Sequence, residues 1–162
     1  MKSIITAIFL ITTIFSQDHF IVSLEGTGTS QLTIFTTSIT SLEIGDEIGI
    51  YDSQAITNYN DCTNQIDALL VGAGVWDGNQ LNQTSIGSVD MCAFGGVQLA
   101  GFVGGNSVII KVFKQSDKTE YVTDISWAMG TGNFGDIIQS ISEITLLIDE
   151  IGGCTDNSAC NY

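Results

Sequence analysis

The feature that most limits the fold of this chain is the grouping of its apolar residues into short runs. These runs are rich in isoleucine, valine, threonine and aromatic residues, and glycine, asparagine and aspartate separate them. β-Branched and aromatic residues favour strands. The 18 glycines and the absence of proline indicate that glycine makes the turns. The sequence therefore predicts an all-β chain, a β-sandwich of the immunoglobulin-like or jelly-roll type.

The predicted strands can be placed on the sequence. The clearest, residues 107–114, reads SVIIKVFK and follows a Gly-Gly-Asn turn. Residues 137–151 are ambiguous because isoleucines recur there at helical spacing, so an amphipathic helix is an alternative. Those isoleucines are β-branched, which favours a terminal strand. The other predicted strands are residues 31–38, 47–52, 68–77, 95–102 and 119–127, and the polar stretches 53–67 and 78–90 are predicted as loops.

The beginning of the chain is typical of a signal peptide, residues 1–16. Lys2 provides a positive charge, residues 4–15 are mostly apolar, and Ser16 is a small residue at the expected cleavage point. A membrane anchor is disfavoured because a spanning helix needs about 20 apolar residues. We therefore expect a secreted or cell-surface protein, with one domain at residues 17–151 and a cysteine-bearing tail at residues 152–162.

Four cysteines are present: Cys62, Cys92, Cys154 and Cys160. An even number of cysteines in an exported chain indicates disulfides. The simplest pairing joins Cys62 to Cys92 within the domain and Cys154 to Cys160 in the tail. Zinc binding is the alternative, but the cysteines form no CxxC pair, and the single histidine is far from them in sequence.

The charge of the chain limits its partners. There are 18 acidic residues against 4 basic ones, a formal net charge of −14. Phosphate backbones and anionic membrane surfaces repel such a protein. We therefore expect no nucleic-acid partner. We also expect no membrane insertion after removal of the signal peptide, because no second apolar segment is long enough to span a bilayer.

The sequence lacks the short motifs of common catalytic sites. It has no GxSxG, HExxH or Walker sequence, and its single histidine, His19, lies beside the expected mature N-terminus. Asp46 and Asp52 form a carboxylate pair of the kind that hydrolyses glycosidic bonds, but in a chain with 18 acidic residues such pairs arise by chance. We therefore predict no catalytic residue and a protein that is not an enzyme.

Two other kinds of site are candidates. Asp46, Glu47 and Asp52 flank one predicted strand and are candidate calcium ligands, because calcium prefers carboxylate and carbonyl oxygens. The alternative is that these carboxylates are solvated or pair with lysines. Tyr59, in a polar loop, is the candidate for an exposed contact with a sugar ring, since aromatic faces suit the C–H surfaces of sugars.

Three stretches resemble secreted surface modules of Bacteroidetes that carry a GDxIGVFD signature. They are residues 45–52 (GDEIGIYD), the apolar run 70–76 that ends in Trp76, and residues 101–108 (GFVGGNSV). Residues 153–162 (GCTDNSACNY) are similar to a cysteine repeat, GCTDxxACNY, of large secreted proteins in the same bacteria. The resemblance implies a β-sandwich found in adhesins, sugar-binding proteins and multidomain surface chains, without a catalytic residue. Such repeats continue into a DDGSC stretch, so a downstream cysteine is an alternative partner for Cys154 or Cys160.

These observations favour a non-enzymatic secreted or cell-surface module with a structural or adhesive role. A carbohydrate-binding module, with calcium as an optional cofactor, is the first alternative. An accessory domain of an extracellular glycoside or peptide hydrolase is the second. The expected partners are other extracellular domains or surface glycans.

Overall fold

The computed structural model describes residues 16–148. The expected signal peptide, apart from Ser16, and the tail with Cys154 and Cys160 lie outside the described residues. The described part contains nine strands and one short 3-10 helix. In chain order they are β1 (Ser30–Phe35), β2 (Glu47–Ile56), β3 (Ile66–Val75), β4 (Leu81–Ile86), β5 (Val89–Asp90), the 3-10 helix (Cys92–Phe94), β6 (Gln98–Leu99), β7 (Ile109–Lys114), β8 (Thr119–Met129) and β9 (Ile138–Leu147).

Seven strands form one mixed sheet in the order β3-β2-β7-β8-β9-β1-β4, and β5 pairs with β6 in a small second sheet. Neighbours in the large sheet are antiparallel except β1 and β9, which are parallel, with Phe35 opposite Ile141. The predicted all-β class is confirmed. The large sheet curls around a single apolar core, so the opposing layers of the sandwich are parts of one continuous sheet.

The core is built from alternating positions of the central strands. Ile48 and Ile50 of β2 lie opposite Val112 and Ile110 of β7, and all four side chains are buried. β7 shows the period-two burial expected of a strand with one face on the core, whereas residues 47–50 of β2 are buried on both faces. Phe35, Trp76 and a stacked pair of rings, Phe102 and Phe134 with centroids 4.4 Å apart, fill the remaining space.

The two edge strands of the sheet, β3 and β4, meet along a line that we call the seam. They are not hydrogen-bonded neighbours. A Cβ added at Gly72 would lie 2.9 Å from Ser85 Oγ and 3.0 Å from the carbonyl oxygen of Thr84. A Cβ added at Gly74 would lie 2.6 Å from Gln83 Oε1. The two glycines therefore let β4 approach β3 closely, which brings the edges of the sheet together.

Most predicted strands are confirmed, and three predictions are wrong in part. The predicted loop 53–67 is shorter, because β2 continues to Ile56 and β3 begins at Ile66. The terminal strand is confirmed, because β9 covers Ile138–Leu147 and its Ile141 and Ile144 point into the core. Residues 78–90 are not only a loop, since they contain β4. Residues 95–102 are not a continuous strand, because only Gln98–Leu99 pair regularly there. Within residues 16–148 no helix is long and apolar enough to cross a membrane.

Candidate functional site

An N-terminal segment, residues 17–22, lies across the sheet and is held by one carboxylate. We call this segment the strap. Glu47, fully buried at the start of β2, accepts backbone N–H groups from the strap. Its Oε1 is 2.9 Å from Asp18 N, and its Oε2 is 2.9 Å from His19 N and 3.0 Å from Phe20 N. Gln115 Nε2 donates a fourth hydrogen bond to Oε1 at 3.1 Å. A single carboxylate thus satisfies three consecutive N–H groups of a segment that belongs to no strand.

Side chains of the strap add two further attachments. Phe20 is buried and rests on Gly49, where a Cβ would lie 3.0 Å from its ring. The His19 ring stacks on Phe113 at 3.9 Å between centroids, and its Nε2 is 2.9 Å from Glu120 Oε2. Partial burial raises the pKa of the Glu120 carboxyl, but hydrogen bonds from Lys111 and His19 outweigh it and hold this pKa below its usual value.

Asp46, in the turn before β2, is the second buried carboxylate. Its Oδ2 is 3.0 Å from Lys114 Nζ and 2.8 Å from Glu43 N, and its Oδ1 accepts Gln115 N at 3.1 Å. Both ionic side chains are almost completely buried. The ion pair therefore ties the turn before β2 to the end of β7, and removal of either partner would leave a buried charge uncompensated.

Asp52, the third, connects β2 to the loop before β7. Its Oδ2 accepts Val103 N at 2.9 Å, and Asn106 Nδ2 lies 3.0 Å from both carboxylate oxygens. Asp46 also takes part in a backbone bridge, because Trp76 N donates to Asp46 O at 2.8 Å. Of the three stretches that carry the resemblance to surface modules, residues 45–52 therefore contact both residues 70–76 and residues 101–108.

The three candidate calcium ligands thus have donors of the chain as partners. Asp46, Glu47 and Asp52 are each buried, and each accepts hydrogen bonds from segments distant in sequence. In the part of the chain that the structure describes, no three His, Cys, Asp or Glu side chains come together as a metal site. The geometry gives these carboxylates the role of holding loops and the strap in place.

Replacing Asp52 by asparagine should lower the free energy of unfolding by about 2 kcal/mol, because an amide offers one acceptor oxygen where the carboxylate offers two. The NH2 group of the substituted side chain would face the backbone N–H of Val103 or the side-chain NH2 of Asn106, so two donors would meet. Urea denaturation followed by fluorescence measures the change. The control is Asp67→Asn on the exposed start of β3, which should change stability by less than about 0.5 kcal/mol. Equal losses in the two variants would contradict a clamp at Asp52.

A cleft of about 410 Å³ lies where the strap meets the seam. Its three walls come from different parts of the chain. They are Gln17, Ile21 and Val22 of the strap, residues 71–73 of β3, and Gln83, Thr84 and Ile86 of β4. None of these described lining residues has an ionisable side chain, although the whole chain has 18 acidic residues. The register shift in β3 leaves Val71 without a partner on β2, and Val71 is buried beside the cleft.

The second exposed feature is a loop closed by a disulfide. Cys62 and Cys92 are bonded, as predicted. Cys92 begins the 3-10 helix between β5 and β6, and we call residues 91–97 the stapled loop. Three apolar side chains project from it, and Phe94 is 85% exposed. The other two are Met91 and Val97. Large exposed apolar side chains that lie close together mark interaction surfaces.

Buried amides support the base of the stapled loop. Gln98 is buried, and its Oε1 accepts Asn58 Nδ2 at 2.9 Å and Asn64 N at 3.2 Å. Gln98 Nε2 in turn donates to Asp90 Oδ2 at 3.1 Å and to Asn64 Oδ1. A satisfied polar network of this kind fixes a single arrangement. The disulfide and the amides therefore hold the base of the loop while its apex remains exposed.

Tyr59, the candidate sugar contact, lies in the loop that the disulfide holds. Its side chain is partly exposed, and its hydroxyl donates to Glu25 Oε2. This hydrogen bond raises the pKa of the Tyr59 phenol. Tyr59 does not line the cleft. The structure therefore separates this residue from the uncharged cleft.

Sequence reasoning missed the cleft and the stapled apex for different reasons. The cleft depends on β4, whose polar sequence LNQTSI resembles a loop. The signal for the apex was present, because Phe94 lies two residues after a cysteine and directly before two glycines. Comparison with protein-family models, with curated proteins and with solved structures found no match for this chain.

Proposed function

We propose that this chain is a non-enzymatic extracellular module with an adhesive role, which binds other extracellular domains through the apex of the stapled loop. The observation that carries the proposal is the exposure of Phe94 at the tip of a loop whose base is cross-linked and hydrogen-bonded. A contact loop held in place before binding loses less conformational entropy when it binds. The apex therefore has the rigidity and the apolar surface that an adhesive contact needs.

Three further observations support an extracellular location. The first sixteen residues have the composition of a signal peptide, and the strap begins at Gln17, just after the expected cleavage point. The disulfide between Cys62 and Cys92 suits an oxidising compartment. The sequence also resembles secreted surface modules. The formal charge of −14 disfavours nucleic acids and anionic membranes as partners.

Phe94→Ala should weaken adhesion by about tenfold or more, because burial of a phenylalanine side chain contributes about 1.5–3 kcal/mol. We would immobilise an extracellular protein domain with an apolar surface patch, or a methyl-terminated monolayer, and measure binding of the full chain by surface plasmon resonance. The thermal unfolding of the variant should match that of the wild type, since Phe94 packs on little of the protein.

The matched control is Ile137→Ala. Ile137 is 91% exposed and lies outside the stapled loop, before β9. We expect its removal to leave adhesion unchanged. If Ile137→Ala bound as weakly as Phe94→Ala, the immobilised surface would be binding any exposed apolar side chain, and the apex would have no special role. If neither variant bound more weakly than the wild type, the apex would have no part in adhesion.

Carbohydrate binding is a second candidate function, and the uncharged cleft favours it. Sites for small ligands are concave, with apolar walls and a few polar groups that fix orientation, and they occupy about 300–1,000 Å³. The cleft between the strap and the seam has about 410 Å³ and this mixture of groups.

A further inference from the structure

We infer that the cleft between the strap and the seam is a binding site for an uncharged saccharide. This inference rests on the second candidate function and gives it a site and a ligand class. Neither Tyr59 nor any residue of the stapled loop lines the cleft. It is therefore a different surface from the one proposed for adhesion.

The polar groups of the cleft match sugar hydroxyls. Gln17 and Gln83 carry amides and Thr84 carries a hydroxyl, so each side chain can both donate and accept hydrogen bonds. A sugar hydroxyl also donates and accepts. The three groups come from two walls, the strap and β4, and a ligand between these walls can contact both.

The apolar groups of the cleft match the C–H faces of a sugar ring. Ile21, on the strap wall, is 65% exposed, which leaves a large aliphatic surface available to a ligand. Val22 and Ile86 extend this surface on the two sides of the cleft. Contact with such side chains removes apolar area of both partners from water.

The absence of charge among the described lining residues selects the class of ligand. A charged group that entered the cleft would lose hydration without gaining an ion pair, which is unfavourable. The formal charge of −14 also repels anionic sugars such as uronates. A neutral saccharide meets neither penalty.

An extended peptide fits this place less well. A peptide that adds a strand needs a free sheet edge with room for another chain. At the seam, a Cβ on Gly72 would already lie 3.0 Å from the carbonyl oxygen of Thr84. The two edges are therefore in van der Waals contact, and no strand can be inserted between them without parting the sheet.

The test is a titration of the full, ¹⁵N-labelled chain with neutral hexasaccharides of glucose and mannose, followed by NMR. We expect amide shifts to change in residues 17–22, 71–73 and 83–86. Thr84→Val should weaken binding by about tenfold, because it removes one hydrogen-bonding group and keeps the shape of the side chain. Thr145→Val, at an exposed position of β9, is the matched control and should bind like the wild type.

Each other outcome would overturn a defined part of the inference. If neither a neutral hexasaccharide nor the hexagalacturonate changed any amide shift, both carbohydrate binding and the saccharide site would be rejected. If a saccharide bound but shifted amides elsewhere, or bound Thr84→Val as tightly as wild type, the cleft would be the wrong site and carbohydrate binding would stand. If a neutral Ala-Ser peptide or a hexagalacturonate shifted the amides of the cleft, and no neutral saccharide did so, an uncharged saccharide would be the wrong class of ligand.

Discussion

Glu47→Gln should lower the free energy of unfolding by about 3–4 kcal/mol and detach the strap from the sheet. The wild-type carboxylate is buried and accepts four hydrogen bonds, three of them from consecutive backbone N–H groups of the strap. A glutamine side chain has one acceptor oxygen, so its NH2 group would face donors that then have no acceptor. Urea denaturation gives the loss of stability, and hydrogen exchange of the Asp18, His19 and Phe20 amides shows where the loss arises.

Glu43→Gln is the control for this substitution. The Glu43 side chain is 65% exposed and lies 3.6 Å from Lys114 Nζ, so its charge contributes little. We expect a change below about 0.5 kcal/mol and unaltered exchange in the strap. Slow exchange of the Asp18–Phe20 amides in Glu47→Gln would show that the strap is held by something other than this carboxylate.

Removal of the disulfide should cost about 3–4 kcal/mol of stability. Cys62 and Cys92 are separated by 30 residues, and the cross-link restricts the unfolded chain over that length. The double variant Cys62→Ser with Cys92→Ser avoids a free thiol at either position. Its unfolding midpoint in urea should be lower than that of the wild type under non-reducing conditions.

Reduction provides the control for the double variant. Dithiothreitol should destabilise the wild type by a similar amount, and it should change the double variant much less. If peptide mapping of the non-reduced protein found both thiols free, the cross-link and the support that it gives to the stapled loop would be absent.

The strands that sequence reasoning found are those with one apolar face. β7 buries Ile110 and Val112 at alternating positions, and β9 is rich in β-branched isoleucines, so both strands can be recognised from their own residues. β4 was missed because its residues 82–84 are polar. They are polar because β4 is an edge strand that borders an open cleft. The polar residues that make this strand difficult to recognise from sequence are therefore part of the candidate site.

The environment of the acidic residues could not be predicted from local sequence. The signature residues 45–52 contain three carboxylates at the ends of a strand, a place where acids are commonly solvated. Their hydrogen-bond donors are remote, since Asp18 is 29 residues from Glu47 and Val103 is 51 residues from Asp52. Only the tertiary structure shows that the strap and the loop before β7 reach these carboxylates. The pairing of Cys62 with Cys92 needed no such knowledge, because these are the two cysteines outside the tail.

The measurement that tests the account most directly is adhesion of the full chain to one apolar-patched extracellular domain, in three forms compared side by side. The forms are the oxidised wild type, the wild type after reduction, and oxidised Phe94→Ala. We predict that the oxidised wild type binds best, and that loss of either the cross-link or the Phe94 ring weakens binding by about tenfold. Equal binding by all three forms would contradict an adhesive role for the stapled loop.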